Sequence, residues 1–420
     1  MEFFQKAFGF PESSSYNDTR KQLLQYASFE FIPPNTPTKD TTNSSNNHHN
    51  DDVAPYPREK CTFHLPDEAR RTLSAGTFSF PSVSELRAHV TSLQTTMTTT
   101  KTMSSPRHDP NTPKLAVANI IGDARSLHTS SLSSSSPIII QAASQFNLLE
   151  FASPSYTPEE GISIYAYDRT QGPACAMAAA GGTAYRNYLV DVEVFQNFKD
   201  EDGKGNDEVR RGQTTHRQLN GLADVESWIV GHVPGYDDEK RPWRARNGYV
   251  ESSSRALGPI SDFLRGASSQ TIDDVTSLVR IGIQRDCTVT DVPAFDKTVT
   301  QTYNSAISVG YSILPSTAWE PVARLVLNAT YEATLLAGVL EGVRASVHGK
   351  TVTPIVYLTK VGGGVFRNKD DWIIAAISRA LEKIEEMDLG LGLDVRIVHF
   401  GEVDMKYSCL QRGIGSLAWR

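Results

Sequence analysis

The rhythm of hydrophobic and polar positions changes twice along the chain. Residues 1–32 carry apolar and aromatic positions that predict a helical start. Residues 33–57, PPNTPTKDTTNSSNNHHNDDVAPYP, are polar and of low complexity, a linker without the side chains to bury a core. Its His-His pair reads as part of that polar tract. A helix is expected over 82–94, where Ser82 and Glu85 have the spacing of a capping box. Residues 95–112 return to Thr and Ser.

From residue 114 the texture becomes that of an alternating domain. LAVANII predicts a strand, Gly122-Asp123 a turn, and PIII at 137–140 a second strand. ISIYAY at 162–167 alternates like a strand or a sheet edge. GPACAMAAAGGTAYRNYL at 172–189 predicts an Ala-rich helix with Pro in its first turn. A charged, Gly-rich loop is expected over 197–213 and a helix over 216–230. SLVRIGIQ at 277–284 predicts a strand, 318–342 a long helix, and PIVYLTK at 354–360 a buried strand. A glycine run, a helix from Asp370 to Met387 and a last strand at 393–401 complete the pattern. Strands alternating with helices over this length predict an α/β domain with a mixed or largely parallel sheet. Residues 1–112 are then an N-terminal extension, and 113–420 the domain itself, with an insert at about 190–300.

Composition narrows the function. With 420 residues and 39% hydrophobic positions, the chain can bury a sizeable core. A net charge of −7 argues against a nucleic-acid partner, whose phosphates need a basic face. No stretch is long and apolar enough for a membrane span, and the N-terminus MEFFQKAFGF lacks the layout of a signal peptide. Cys61, Cys175, Cys287 and Cys409 have neither metal nor redox spacing, so a cytosolic or nuclear compartment is expected. No metal site is expected.

Two loops carry candidate chemistry. The strand IIIQAASQFNLLEF runs from isoleucines into amides and bare backbone, as a strand end that meets a ligand would. The second loop, Lys360-Val361-Gly362-Gly363-Gly364-Val365-Phe366, lets backbone N–H groups approach an anion closely, and the following helix adds its N-terminal partial charge. A phosphate or diphosphate is the natural guest; a tight turn is the plainer reading. Neither a Walker loop nor a dinucleotide fingerprint is present. Asp286, Asp291 and Asp296 cluster after SLVRIGIQ, at an expected strand end. They read either as a solvated acidic loop or as acids placed for catalysis.

The order of these pieces resembles the macrodomain family, an ADP-ribose-binding three-layer α/β/α sandwich with a mixed sheet. Gly122-Asp123-Ala124 stands where the family has Gly-Asp-Ile. Gln141-Ala142-Ala143-Ser144 stands where it has Asn-Ala-Ala-Asn, and GGGVF matches its late Gly-rich loop. The family's Gly-Gly-Gly-Val after the second strand is absent, and YDRTQGPACAMAAAGGTAYRNY fills that place. The strings QAASQFNLLE, DRTQGPA, YRNYLV and RNGYV look like the branch that removes ADP-ribose from arginine.

The resemblance implies ADP-ribose as ligand, no further cofactor, and ADP-ribosylated proteins as partners. Asp123 would accept from the adenine amino group, or cap a turn. Gln141, Ser144 and Asn147 would meet the distal ribose and diphosphate. Asp168 would bind ribose hydroxyls, or cap the helix start, with Gln171 and Gly172 near the phosphates. Gly362, Gly363, Gly364, Val365 and Phe366 would wrap the diphosphate, Gly363 needing a close approach or positive φ. Tyr185, Arg186 and Asn187 read as structural, and Asn247-Gly248-Tyr249 as structural or as a ligand-side loop. Asp286 and Asp291, with Asp296, would orient the guanidinium leaving group and activate water. The function implied is metal-free hydrolysis of ADP-ribosyl-arginine. A reader that binds ADP-ribose without cleaving it would use the same pocket, and a scaffold with structural glycine loops is the unrelated alternative.

Overall fold

The computed structural model describes residues 2–34, 54–66, 71–100, 115–130, 136–196, 210–237, 239–292, 296–347, 352–387 and 392–413. Most of the 33–57 linker and of the 197–213 loop lies outside them.

Among the described residues eleven strands make the sheets. They are β1 (Ala27–Ile32), β2 (Arg58–His64), β3 (Thr72–Ser79), β4 (Leu115–Ile121), β5 (Ile138–Ala143), β6 (Arg244–Arg246), β7 (Tyr249–Glu251), β8 (Gly282–Thr288), β9 (Thr298–Asn304), β10 (Ile355–Leu358) and β11 (Leu393–His399). Nine form one mixed sheet in the order β1-β2-β3-β8-β9-β5-β10-β11-β4, and β6 and β7 form a separate hairpin. From β9 to β4 every neighbouring pair is parallel; from β1 to β9 every pair is antiparallel.

β5 shows why the sheet is buried on both faces. Side chains alternate along a strand. Ile139 enters one hydrophobic cluster, with the helices Ser316–Val347 and Asp370–Glu386. Ile138 and Ile140 enter the other, with the N-terminal helix Glu2–Phe8 and the helix Gln171–Ala178. A mixed sheet between two helical layers is the expected α/β sandwich. The expected boundary near 112 does not match the sheet, because β1, β2 and β3 extend it from the N-terminal segment.

Several expected elements differ: the strand expected over 277–284 runs at Gly282–Thr288, and the helical start over 1–32 ends in the strand Ala27–Ile32. Ser163–Tyr167 is a short 3₁₀ helix and not a strand, because the Glu12 carboxylate accepts the amides of Ile162 and Ser163 at 2.8 and 2.7 Å. The long Ala-rich helix breaks into Gln171–Ala178, Ala180–Ala184 and a π-helical turn Tyr185–Leu189. Thr183 Oγ1 donates to the Ala176 carbonyl, and Thr290 Oγ1 contacts those of Met177 and Ala178. The helix expected over 216–230 starts later, at Ala223–His232. The capping box at Ser82 and Glu85 forms as its spacing implies, opening the helix Val83–Thr100. Among the described residues no helix is long and apolar enough to cross a membrane.

Candidate functional site

β5, β9 and β10 run parallel, so their C-terminal ends deliver their loops to one edge of the sheet. A cavity of about 270 Å³ opens there. Its walls come from Ala143-Ser144-Gln145 after β5, Ala306 after β9, and Lys360-Val361-Gly362 with Gly364-Val365-Phe366 after β10.

The helix Gln171–Ala178 is seated against the end of β5 by its own side chains. Gln171 Oε1 accepts the Ala143 amide at 2.7 Å, and its Nε2 donates to the Gln141 carbonyl at 2.8 Å. The carboxamide thus continues the ladder where β10 stops. Gly172 follows because nothing larger fits: a Cβ there would lie 2.1 Å from the Ala143 carbonyl oxygen. The helix N-terminus faces the cavity, with Asp168 at its mouth and Gly172 and Pro173 in the wall.

In the glycine loop the positive φ belongs to Gly362 (75°) and not to Gly363. A Cβ on Gly362 would meet Ala306 at 2.5 Å and the Asn368 amide at 2.6 Å. Asn368 holds this turn, its Nδ2 donating to the Ile307 carbonyl at 2.8 Å. Gly364 faces open space, and with Gly362, Val365 and Phe366 it lines the cavity. Lys360 brings a cation to the same wall, 3.7 Å from Asp404.

Three aromatic rings form a cluster in the wall. Tyr249, Tyr311 and Phe366 have centroid separations of 5.6, 5.6 and 5.8 Å and meet edge to face. Tyr249 is fixed by its hydroxyl, which donates to the Phe151 carbonyl at 2.7 Å. Such a cluster offers ring surface for a planar base.

Beneath the cavity lies Glu150, 2% exposed. Its Oε1 accepts from Arg186 at 2.6 Å, and its Oε2 has no hydrogen-bond partner. Burial raises its carboxyl to about 7, against the pull of the Arg186 guanidinium. Arg186 is itself locked, donating to the Leu148 carbonyl and lying 3.4 Å from the Tyr303 ring centroid. Sequence reasoning missed Glu150, although an acid between Leu149 and Phe151 in an apolar run is the signal that marks it.

The structure brings together Ser144, Asp168, Gln171, Gly172, Gly362, Gly364, Val365 and Phe366 in one wall. Other expected site residues do other work. Gln141 is buried, bonding Thr334 and the Thr359 amide, and ties β5 to the long helix. Asn147 bonds Gln218 and the Leu149 amide, clamping its loop beside Gly248. Gly363 packs near Ile373. Asp123 stands at the end of the edge strand β4, where its carboxylate caps the helix Ala124–Ser130 and is held below the usual range by bonds from Ser126.

The three acids proposed for catalysis are not in the cavity wall. β8 runs antiparallel to β9, so the chain leaves β8 where β9 begins, at the opposite edge from the cavity. Asp286 does not end the strand. It sits in a bulge between Gln284 and Cys287, with φ 57°, and pairs with Arg344 at 2.6 Å. Asp291 pairs with Arg125, its Oδ2 2.6 Å from Nε, and Asp296 is exposed just before β9. Antiparallel pairing is what the order of strands in sequence does not reveal.

No family model and no curated protein matches the chain. Two solved structures of poly(ADP-ribose) glycohydrolase from Deinococcus radiodurans show distant likeness. The complex with ADP-ribose is 10% identical, with a TM-score of 0.32, covering 78% of this chain and 89% of that one. The apo form is 12% identical, with a TM-score of 0.30, covering 76% and 85%. Likeness at this level does not establish a family, and the cavity's own geometry is what bears on function.

Proposed function

We propose that the cavity binds ADP-ribose and that the protein hydrolyses the bond joining ADP-ribose to modified protein side chains, arginine in particular. Glu150 carries the reading: a carboxyl raised to about 7 beneath a cavity walled by a glycine loop and three aromatic rings. Each wall suits one part of the ligand. The aromatic cluster takes the adenine. The Gly362 and Gly364 backbone, Lys360 and the helix start at Gln171 take the diphosphate. Ser144 and Asp168 take ribose hydroxyls.

Cleavage breaks the bond from the anomeric carbon of the distal ribose to the arginine nitrogen, through a state with positive charge on the sugar. Water then bonds to that carbon. Glu150 in its charged form accepts the water's proton, and that proton passes through solvent to the departing guanidine, which leaves as guanidinium and returns Glu150 to its charged form. A carboxyl near 7 exchanges protons efficiently at neutral pH. This assigns to Glu150 the work that sequence reasoning gave to Asp286, Asp291 and Asp296, and it asks for no metal.

The test is release of ADP-ribose from an ADP-ribosyl-arginine substrate. Wild type is expected to be active with or without EDTA, Asp286→Ala/Asp291→Ala to keep most of the rate, and Glu150→Gln to lose it. Inactivity in the double alanine variant with an unchanged melting temperature would return catalysis to those acids. The tight ion pair of Glu150 with Arg186 favours a second reading, a reader that binds without cleaving. ADP-ribose binding by calorimetry with no turnover on arginine-, serine- or glutamate-linked substrates would establish it.

A further inference from the structure

On the other side of the β6–β7 hairpin lies a second cleft, of about 490 Å³. The hairpin is a wall common to both. Its turn, Asn247-Gly248, has φ of 47° and 78°, the pair of positive values that a two-residue turn of this hand requires. Tyr249 lines the first cavity, while Arg244 and Arg246 line the second. Two residues apart on one strand, these arginines share a face with Cα atoms about 7 Å apart.

The charge of this cleft departs from that of the chain. The protein carries −7, yet the cleft is lined by Arg244, Arg246 and His216 and by no acid among the described residues. Neither arginine makes an ion pair or a side-chain hydrogen bond with a described residue, Glu251 opposite Arg244 included. The amides around them are already engaged. Gln218 bridges Asn147 and Asn247, and Gln196 bonds both backbone groups of Asn220. The walls are therefore set by internal bonds, and the guanidinium groups remain for whatever enters.

We propose that this cleft is a second ligand site, taking the diphosphate group of a nucleotide on Arg244 and Arg246. Guanidinium forks match phosphate oxygens in pairs, and two on one strand converge on adjacent phosphates. The volume is that of a small-molecule pocket, larger than a lone phosphate needs. The site is independent of what the first cavity binds or does.

Calorimetry of the full chain with inorganic pyrophosphate, and separately with ADP, tests this at low salt. Wild type is expected to bind both, ADP at least as tightly. Arg244→Ala/Arg246→Ala, on exposed positions, is expected to keep its melting temperature and to weaken both ligands tenfold or more. Arg244→Lys/Arg246→Lys keeps the charge without the fork and is expected to fall between. Gly364→Val, which narrows the first cavity, is expected to remove any anion bound there and to leave the heat that depends on Arg244 and Arg246. No heat at millimolar ligand, or unchanged affinity in the double alanine variant, overturns the proposal. So does a loss that follows Gly364→Val instead, which would put the anion in the first cavity. Pyrophosphate binding without ADP binding, or displacement by a glutamate oligopeptide more readily than by ADP, overturns the nucleotide assignment. Only heat that is lost in Arg244→Ala/Arg246→Ala and kept in Gly364→Val counts for this cleft, so its failure and failure of the hydrolase reading are separable.

Discussion

At the scale of single residues, chemistry follows from burial more than from clustering. Three aspartates in one short segment drew attention in sequence, but two are neutralised by arginines and the third is exposed. Beneath the cavity it is the solitary Glu150 whose proton affinity burial raises. Its isolation in LLEF is a legible sign, because an acid in an apolar run must find a partner or shift its titration. The partner, Arg186, was legible only as structural. If Glu150 serves as the base, the rate should rise with pH to a plateau above about 7, as the carboxyl loses its proton. Glu150→Gln should lower kcat by roughly 100-fold or more, the scale of a general acid–base group, and abolish that rise. A pH–rate profile of wild type with no inflection between 5 and 8 would remove Glu150 from the chemistry.

At the scale of elements, the legible strands were those whose pattern is apolar. LAVANII, PIII and LDVRIVH announce buried parallel strands, and β4, β5 and β11 form there. β9 went unseen because TVTQTYN is polar in sequence though buried in place. Its Gln301 bonds His128 and the Cys175 carbonyl, and Asn304 bonds Thr302, so polar side chains are satisfied inside the sheet. β2 was hidden in the same way: Glu59 is buried against Arg211 and the Tyr185 hydroxyl. The glycine loop was legible as an element and misread by one residue. This gives a paired expectation. Gly362→Ala forces a Cβ against Ala306 at positive φ and should lower the melting temperature. Gly364→Val meets no neighbour and should leave melting unchanged while weakening ADP-ribose at least tenfold by calorimetry. The opposite ordering, with Gly364→Val destabilising and Gly362→Ala silent, would show the loop is built differently.

At the scale of the whole molecule, two buried groups oppose each other in the pH dependence of stability. His128 is fully buried and lowered to about 4, first by burial. Gln301 Nε2 donates to its Nε2, so Nδ1 carries the proton toward the Ala124 carbonyl and the ring is neutral. Its unfolded value is near 6.5, so the unfolded chain binds more protons between about 4 and 6.5. Stability from His128 is therefore present above 6.5 and lost as pH falls through that window, by about 3 kcal/mol. Glu150 has the opposite sign. It rises from 4.5 to about 7, so the folded chain binds more protons there, and its contribution is present below 4.5 and lost as pH rises. His399, lowered, adds to the first trend, and Glu226, raised by burial, adds to the second. The windows overlap, so wild type should show little net slope in denaturant-measured stability between pH 4.5 and 6.5. Substitution unmasks one trend at a time. Glu150→Gln, whose side-chain oxygen still accepts from Arg186, should leave a stability that falls toward acid. His128→Gln should leave one that rises toward acid. Both variants are expected to be less stable than wild type at every pH, so the slope and not the level is the readout. Parallel pH curves for all three proteins would mean that neither group titrates as its burial dictates.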